Sequence, residues 1–232
     1  MYYLQDTQAP ISAIGLYNDL CHRIITVELE PGTRISENSI SAEYGVSRSV
    51  LRTVFARLQQ INFVEVYPQR GTFVRLLDMD HVTSASTIRY VVERNAVYDI
   101  VFAPDSPNQQ MLADLEEMMG QMREALAAGT TEEMKRFKML EARLHLRIIQ
   151  EVMTPSALGL LYEIRVHLTR WTNIDVCLSG MEDLLMEQNQ ELLDAIRGRK
   201  LQKALFKIKE HYQTLVSNAD MVRSVHPDYF RQ

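Results

Sequence analysis

The chain has 232 residues, 46% of them hydrophobic and 24% charged, with a formal net charge of −5. This suits one large globular domain or about two of ~100–150 residues, and it excludes wholesale disorder. No apolar run approaches the ~18 residues of a membrane span, and the start MYYLQDTQAP lacks the basic-then-apolar pattern of a signal peptide. Cys21 and Cys177 form neither a zinc pattern nor a disulfide framework, so a reducing cytoplasm is the expected location.

Ile11–Val27 reads as a helix, because Ile14, Leu16, Tyr17, Leu20, Ile24 and Ile25 recur at helical spacing. Pro31-Gly32 lies beyond its end. A second helix is expected from Glu37 to Tyr44, with Ser36 as N-cap and Gly45 just past the end. Ser47 then caps a third helix, Arg48–Gln60, with Val50, Leu51, Val54, Phe55 and Leu58 as its inner stripe. Phe63–Tyr67 and Thr72–Arg75 read as two short strands around the turn Pro68-Gln69-Arg70-Gly71. Helix, helix–turn–helix and β-hairpin follow each other in the order of a winged helix–turn–helix, giving a first domain of residues 1–77.

Residues 78–232 have a different texture. Helical segments are expected at about 80–103, 108–128, 131–153, 155–177, 181–198 and 200–223, broken at Pro104–Pro107, Gly129-Thr130, Thr154-Pro155, Ser179-Gly180 and Arg197-Gly198-Arg199. The fold class is therefore mainly α: a winged helix–turn–helix with a small β-hairpin, then an all-α bundle of about six helices. The Met111, Met118, Met119 and Met122 stripe reads as bundle core. Trp171 reads as a core or dimer-contact residue, with pocket lining as the alternative. Cys177 reads as a small buried apolar residue, and His226–Gln232 as a frayed tail.

Charge is uneven along the chain. Residues 1–77 carry seven Arg and seven Asp/Glu, whereas Ser47–Arg75 carry five Arg against the single acid Glu65. The acidic total argues against a generic nucleic-acid coat, and the local cluster argues for one positive face. In a helix–turn–helix the second helix enters the major groove with its first residues over base edges. Those residues are Ser47, Arg48 and Ser49, with Arg52 one turn on and on the same face as Arg48. An arginine fork matches guanine O6 and N7, while the serines and the helix N-terminal amides suit phosphates. Gln69, Arg70, Gly71 and Thr72 at the wing tip suit a minor-groove or phosphate contact. The bland alternative, an exposed arginine pair on a helix surface, loses weight in this context. Arg57 reads as a structural or phosphate-contacting residue.

In the helical part, Glu141 and His145 are four apart and share a helix face, while Asn189 and His211 lie on later helices. A carboxylate and imidazoles meeting inside a bundle suit a divalent metal, with Zn, Ni or Mn compatible by ligand type. The alternative for each histidine is a surface position or a satisfied core position. Arg143 and Arg147 flank His145 but leave its face, so both are expected in solvent.

The stretch from Pro31 to Val74 resembles the DNA-binding domain of the GntR family of bacterial transcription regulators. Its most specific parts are Ser47-Arg48-x-x-x-Arg52 and Pro68-x-Arg70-Gly71-x-x-Val74. It departs from the family pattern at Asn38, where a basic residue is common, and at Ser49–Val54, which replace the usual Pro and Arg-Glu-Ala. The helical part resembles the all-α effector domain (FCD type) of the family's fatty-acid-regulator branch. Glu141-Ala-Arg-Leu-His145 is similar to its Asp-x-x-x-His pair. Asn189-Gln-Glu-Leu-Leu-Asp-Ala-Ile196 is similar to its His-headed helix, and His211 matches its last histidine. Arg89-Tyr-Val-Val-Glu93 resembles its first helix. The resemblance implies Glu141, His145, Asn189 and His211 as metal ligands. It also implies a small organic or sugar acid as effector, bound at Glu141, His145, Asn189 and His211 through the metal or, in a metal-free polar pocket, paired with Arg89; an Arg89–Glu93 helix pair is the alternative for that arginine.

The leading expectation is a homodimeric, ligand-responsive regulator of a DNA operator, with repression the family's commoner sign. A metal-dependent hydrolase or lyase and a purely architectural DNA binder are the alternatives. The tetrad lacks a convincing general base and nucleophile, which weighs against the enzyme. The acidic second domain weighs against the architectural protein.

Overall fold

The computed structural model describes residues 11–103 and 108–231. Residues up to Leu77, joined by Arg231, form one compact unit, and Asp78–Phe230 form a second.

The first unit is built from α1 (Ala13–Ile25), β1 (Arg34–Ile35), α2 (Glu37–Tyr44), α3 (Arg48–Gln60), β2 (Val64–Tyr67) and β3 (Gly71–Val74). Local chemistry fixes the helix ends. Ser12, Ser36 and Ser47 each accept a hydrogen bond from the backbone N–H three residues on. Gly45 closes α2 at φ 63°, the left-handed conformation that glycine adopts without a Cβ penalty. Leu16, Leu20, Ile24, Leu51, Leu58 and Phe63 are fully buried, and each contributes about 1.5–3 kcal/mol by leaving water. Ile14, expected in the α1 stripe, instead faces solvent.

The sheet has three antiparallel strands in the order β1-β3-β2, not two. Arg34 pairs with Phe73 and Ile35 with Thr72 on one side, and Val64 pairs with Val74 through to Tyr67 with Gly71 on the other. A two-residue strand carries no periodicity, so β1 leaves no trace in the sequence pattern.

The second unit contains α4 (Met79–Phe102), α5 (Gln109–Ala128), α6 (Thr131–Gln150), α7 (Pro155–Leu160), α8 (Tyr162–Ser179), α9 (Glu182–Arg197), α10 (Leu201–Thr214) and α11 (Ala219–Val225). Among the described residues this makes eight helices rather than six. The expected 155–177 segment divides at Leu161, and the 200–223 segment divides at residues 215–218. Gly159 lies in the last turn before the first division, and neither Gly nor Pro lies at the second. The Pro104–Pro107 break and the Cys177 side chain lie outside what is described.

Trp171 is buried in the core, and its indole N–H donates to the Leu215 carbonyl. Met111, Met119 and Met122 are buried as expected, with Met118 at the edge. The tail is not frayed: Pro227–Tyr229 form a 3₁₀ turn, and Phe230 is buried with its ring edge-on to Trp171 at 6.4 Å. An aromatic residue near a chain end supplies apolar area enough to dock it. Arg147 is not a solvent residue either. It donates to Asp114 and to Glu151, each at 2.8 Å, while Arg143 is exposed.

Candidate functional sites: a DNA-reading face and a buried ligand cluster

The exposed face of α3 begins with Ser47, Arg48 and Ser49, followed by Arg52. The Ser47 and Ser49 hydroxyls are 2.8 Å apart. Arg48 Nη2 donates to Asn38 Oδ1 on α2 at 3.0 Å. The residue that departs from the family pattern thus orients the leading arginine, reducing the side-chain freedom it must lose on meeting a base. Arg48, Arg52, Asn38, Gln69 and Gly71 line one groove between α3 and the wing.

The wing tip is a tight turn in which the Arg70 N–H donates to the Tyr67 carbonyl at 3.1 Å, with Pro68 at the first central position. Gln69 follows at φ 63°, so the turn is of type II form. Gly71 sits at φ 110°, and a Cβ there would stand 3.0 Å from Arg34 Nε. Gly71→Ala is expected to cost the winged unit about 1–2 kcal/mol, because an L side chain is strained at that φ. Chemical denaturation checks this, and a neutral outcome would remove the requirement for glycine. Gln69 and Arg70 are exposed, but Thr72 is not. Strand alternation turns the Thr72 side chain inward, with 1% of its surface accessible, so it does not present a DNA contact. Arg34 instead is the further basic side chain on this surface. It is exposed, lies beside Gly71 and lines the wing surface with Gln69 and Arg70. Its position beside the wing depends on β1 pairing with β3, which the sequence pattern did not show.

In the helical unit, Glu141, His145 and His211 converge, all buried, with their donor atoms within 4.8 Å of one another. Glu141 Oε1 stands 3.2 Å from His145 Nε2 and 3.1 Å from His211 Nε2. The two imidazoles stack at 4.1 Å. Despite these distances, Glu141 Oε1 and both Nε2 atoms lack a hydrogen bond of acceptable geometry. Donors about 2.0–2.1 Å from a shared zinc stand about 3.4 Å apart in a tetrahedron and about 2.9 Å in an octahedron. The spacings from Glu141 Oε1 to the two imidazoles fall between those values, as donors sharing a divalent ion require. Asn189 is equally buried, and neither of its amide atoms finds a hydrogen bond. It does not line the small cavity at the other three.

Glu93 orients this cluster, and it was legible only as a helix partner of Arg89. It is fully buried. Its Oε1 lies 2.6 Å from His145 Nδ1, and its Oε2 accepts from the Tyr212 hydroxyl at 2.6 Å. Arg89 Nε is 3.8 Å from Oε2, so the helix pair expected as an alternative is present, and Arg89 lines the cavity as well. A carboxylate can only accept, so His145 donates through Nδ1 and leaves Nε2 for the shared point. This is the carboxylate–histidine arrangement that typically supports a metal ligand.

Without a metal, the electrostatics place a second proton on His145, at Nε2, which ligation would displace. Burial lowers the pKa of His145, but Glu93 and Glu141 outweigh it and raise it to about 10. Burial and the neighbouring His145 both lower the pKa of His211, leaving it neutral. Burial raises the pKa of Glu141, but the two imidazoles outweigh it, and the carboxyl stays ionised.

The cavity at the cluster has a volume of about 30 Å³ and is lined by Arg89, Arg165, Thr169 and Thr172. A second cavity of about 250 Å³, lined by Leu146, Ile149, Leu158 and Tyr162, shares both arginines. Arg165 has no carboxylate within 4 Å among the described residues, and burial and the nearby Arg89 both lower its pKa. No motif marks Arg165 in the sequence. The available signal is its place on one face of α8 with Leu168, Thr169 and Thr172, at i, i+3, i+4 and i+7.

A winged DNA-reading unit followed by a helical unit with an enclosed ligand cluster defines a two-domain transcription regulator. The model of bacterial regulatory proteins of the gntR family matches residues 14–74, and that of the FCD domain matches residues 85–214. The chain belongs to the GntR family of bacterial transcription regulators, in the group that carries an FCD domain. It is similar to a transcriptional regulator in an unstable DNA locus of Streptomyces ambofaciens, 25% identical over 221 residues, covering 93% of this chain and 88% of that one. It is also similar to the transcriptional repressor RspR of Escherichia coli K12, 22% identical over 217 residues, covering 94% and 92%. In fold it resembles E. coli McbR/YncC (TM-score 0.72, 20% identity, covering 92% of this chain and 98% of that one). A GntR regulator from Rhodococcus sp. RHA1 is similar too (TM-score 0.73, 21% identity, covering 89% and 96%). The protein is a DNA-binding regulator, and its relatives are regulators rather than enzymes. Among the described residues, no helix is long and apolar enough to cross a membrane.

Proposed function

We propose that the chain is a ligand-responsive repressor of genes for the metabolism of a small organic or sugar acid. As a homodimer it reads a pseudo-palindromic operator, since a two-fold protein needs two related half-sites. Arg48 and Arg52 read base edges, Ser47 and Ser49 meet phosphates, and Gln69, Arg70, Gly71 and Arg34 place the wing.

The helical unit binds the effector. The observation that carries this reading is the cavity where a cluster of unsatisfied buried donors meets two arginines, one of them without a carboxylate within 4 Å among the described residues. Glu141, His145, Asn189 and His211 would hold a divalent metal, which when bound supplies a Lewis-acid contact for a carboxylate. Arg89 and Arg165 offer that carboxylate charge-assisted hydrogen bonds. Glu93 and Tyr212 hold His145 in the ligating tautomer. An effector shifts DNA affinity only by its differential affinity for the two protein states, and a hundred-fold preference supplies about 2.7 kcal/mol.

Metal binding is expected to be coupled to protons. His145 carries a proton up to about pH 10 in the metal-free protein, and ligation must expel it. Zinc affinity should therefore rise about tenfold per pH unit between pH 6 and 8, with about one proton released per ion. Calorimetry in buffers of different ionisation enthalpy reads that number, and zero release would contradict a protonated His145 in the metal-free protein. Calorimetric titration of the zinc-loaded protein with a panel of carboxylic acids tests the effector reading. At least one acid should bind to the native protein and at least tenfold more weakly to Arg165→Gln. Equal binding to both would contradict the pocket.

A further inference from the structure

The cavity at the ligand cluster is too small for a whole effector. Its volume of about 30 Å³ holds about two water-sized groups, enough for a carboxylate head and no more. The body of a bound acid must lie elsewhere. The cavity of about 250 Å³ shares Arg89 and Arg165 with the small one, so a molecule gripped by these arginines has room for its body there.

The walls of that larger cavity are aliphatic and aromatic. Leu146 and Ile149 come from the last turns of α6, Leu158 from α7, and Leu161 and Tyr162 from the start of α8. Besides the arginines, its polar side chains are Gln150, which is exposed, and the Tyr162 phenol. The Arg165 guanidinium lies over the Tyr162 ring at 5.5 Å, a cation–π contact that holds the charge against the apolar wall. A polyhydroxy body placed here would lose its hydrogen bonds to water and recover few of them, whereas a hydrocarbon body gains by leaving water. A second carboxylate on the body would meet no further cation among the lining side chains.

We infer that the effector is a monocarboxylate with an apolar body, its head between Arg89 and Arg165 and its alkyl or aryl part between α6, α7 and α8. The inference rests on the effector reading above and narrows its ligand class away from sugar acids and compact hydroxy acids. Size sets an upper bound. A dry apolar cavity of about 150 Å³ holds benzene, so one of about 250 Å³ accommodates about ten carbon atoms. The wall at α7 is the one open to test by substitution. None of the α7 residues is buried, so Leu158 can be changed without opening the core.

Calorimetric titration of the full chain with straight-chain acids tests this, in the metal-free and the zinc-loaded form. Affinity should rise about fourfold per added methylene from butanoate to octanoate and stop rising at about ten carbons. The gain should be equal in both forms, because it comes from the body and not from the group that holds the head. Gluconate should bind about tenfold or more weakly than hexanoate. So should 1-hexanol, which has the same body and no charge. Leu158→Gln should weaken octanoate about fivefold or more while propanoate changes by less than about twofold. Affinity that is flat with chain length, or gluconate that equals hexanoate, would overturn the apolar body and leave a carboxylate site standing. Hexanol that equals hexanoate would overturn the arginine head site, and with it the acid. No binding by any acid of either kind would overturn the effector reading together with this inference.

Discussion

Arg48→Ala is expected to lower affinity for the specific operator by about 5- to 150-fold, the equivalent of 1–3 kcal/mol for a bidentate base contact. Arg48 is exposed at the head of α3 and already aimed by Asn38. The substitution therefore removes a pre-oriented fork without disturbing the core beneath it, where Leu51, Val54 and Phe55 pack. Discrimination should fall together with affinity. A scrambled duplex should lose far less, because non-specific binding is dominated by phosphate neutralisation. Arg70→Ala at the wing should behave differently. It should weaken operator and scrambled DNA alike and reduce the salt slope by about one. Asn38→Ala should fall between native and Arg48→Ala, since it frees the guanidinium without deleting it. If Arg48→Ala weakens all sequences equally, Arg48 contacts phosphate and the base-reading assignment moves to Arg52.

His211→Ala is expected to abolish stabilisation by zinc. Metal at a hundred times its dissociation constant should stabilise the native protein by about 2.7 kcal/mol, and a chain lacking one imidazole should gain almost nothing under the same conditions. His211 is the informative ligand to remove. It is neutral and makes no hydrogen bond through either ring nitrogen, so its loss strands no charge. His145→Ala would strip Glu93 of its 2.6 Å partner inside the core. Breaking a buried pair in that way typically costs 3–5 kcal/mol, so this variant should be unstable with or without metal. Melting temperature with and without zinc separates the two behaviours. An unchanged zinc response in His211→Ala would remove the metal from the account, leaving Arg89 and Arg165 as the carboxylate site.

What the sequence disclosed follows from the range of the interactions involved. The α2–α3 turn was legible because its determinants are local: Ser36, Gly45 and Ser47 act within three residues of themselves. β1 was not, since Arg34 and Ile35 become a strand only by pairing with Phe73 and Thr72. The same pairing turned Thr72 inward and brought Arg34 to the wing. The break after α10 has neither Gly nor Pro at residues 215–218, and the break after α7 has only Gly159, which a helix interior tolerates. The ligand cluster was half legible. Glu141 and His145 share a helix face, and His211 carried a recognisable context. Glu93 acts across 52 residues of sequence, and Arg165 matters only because α8 places it beside Arg89. Neither relation leaves a pattern in a single chain.

One protein is expected both to read a specific sequence and to answer to an acid held in its helical unit. Selection of bound fragments from genomic DNA, with and without each carboxylic acid at fixed salt and zinc, tests it most directly. A pseudo-palindromic site should be enriched and should be released or tightened by at least one acid, with that response lost in Arg165→Gln. No enriched site under any condition, or an enriched site indifferent to every acid that calorimetry shows to bind, would contradict it.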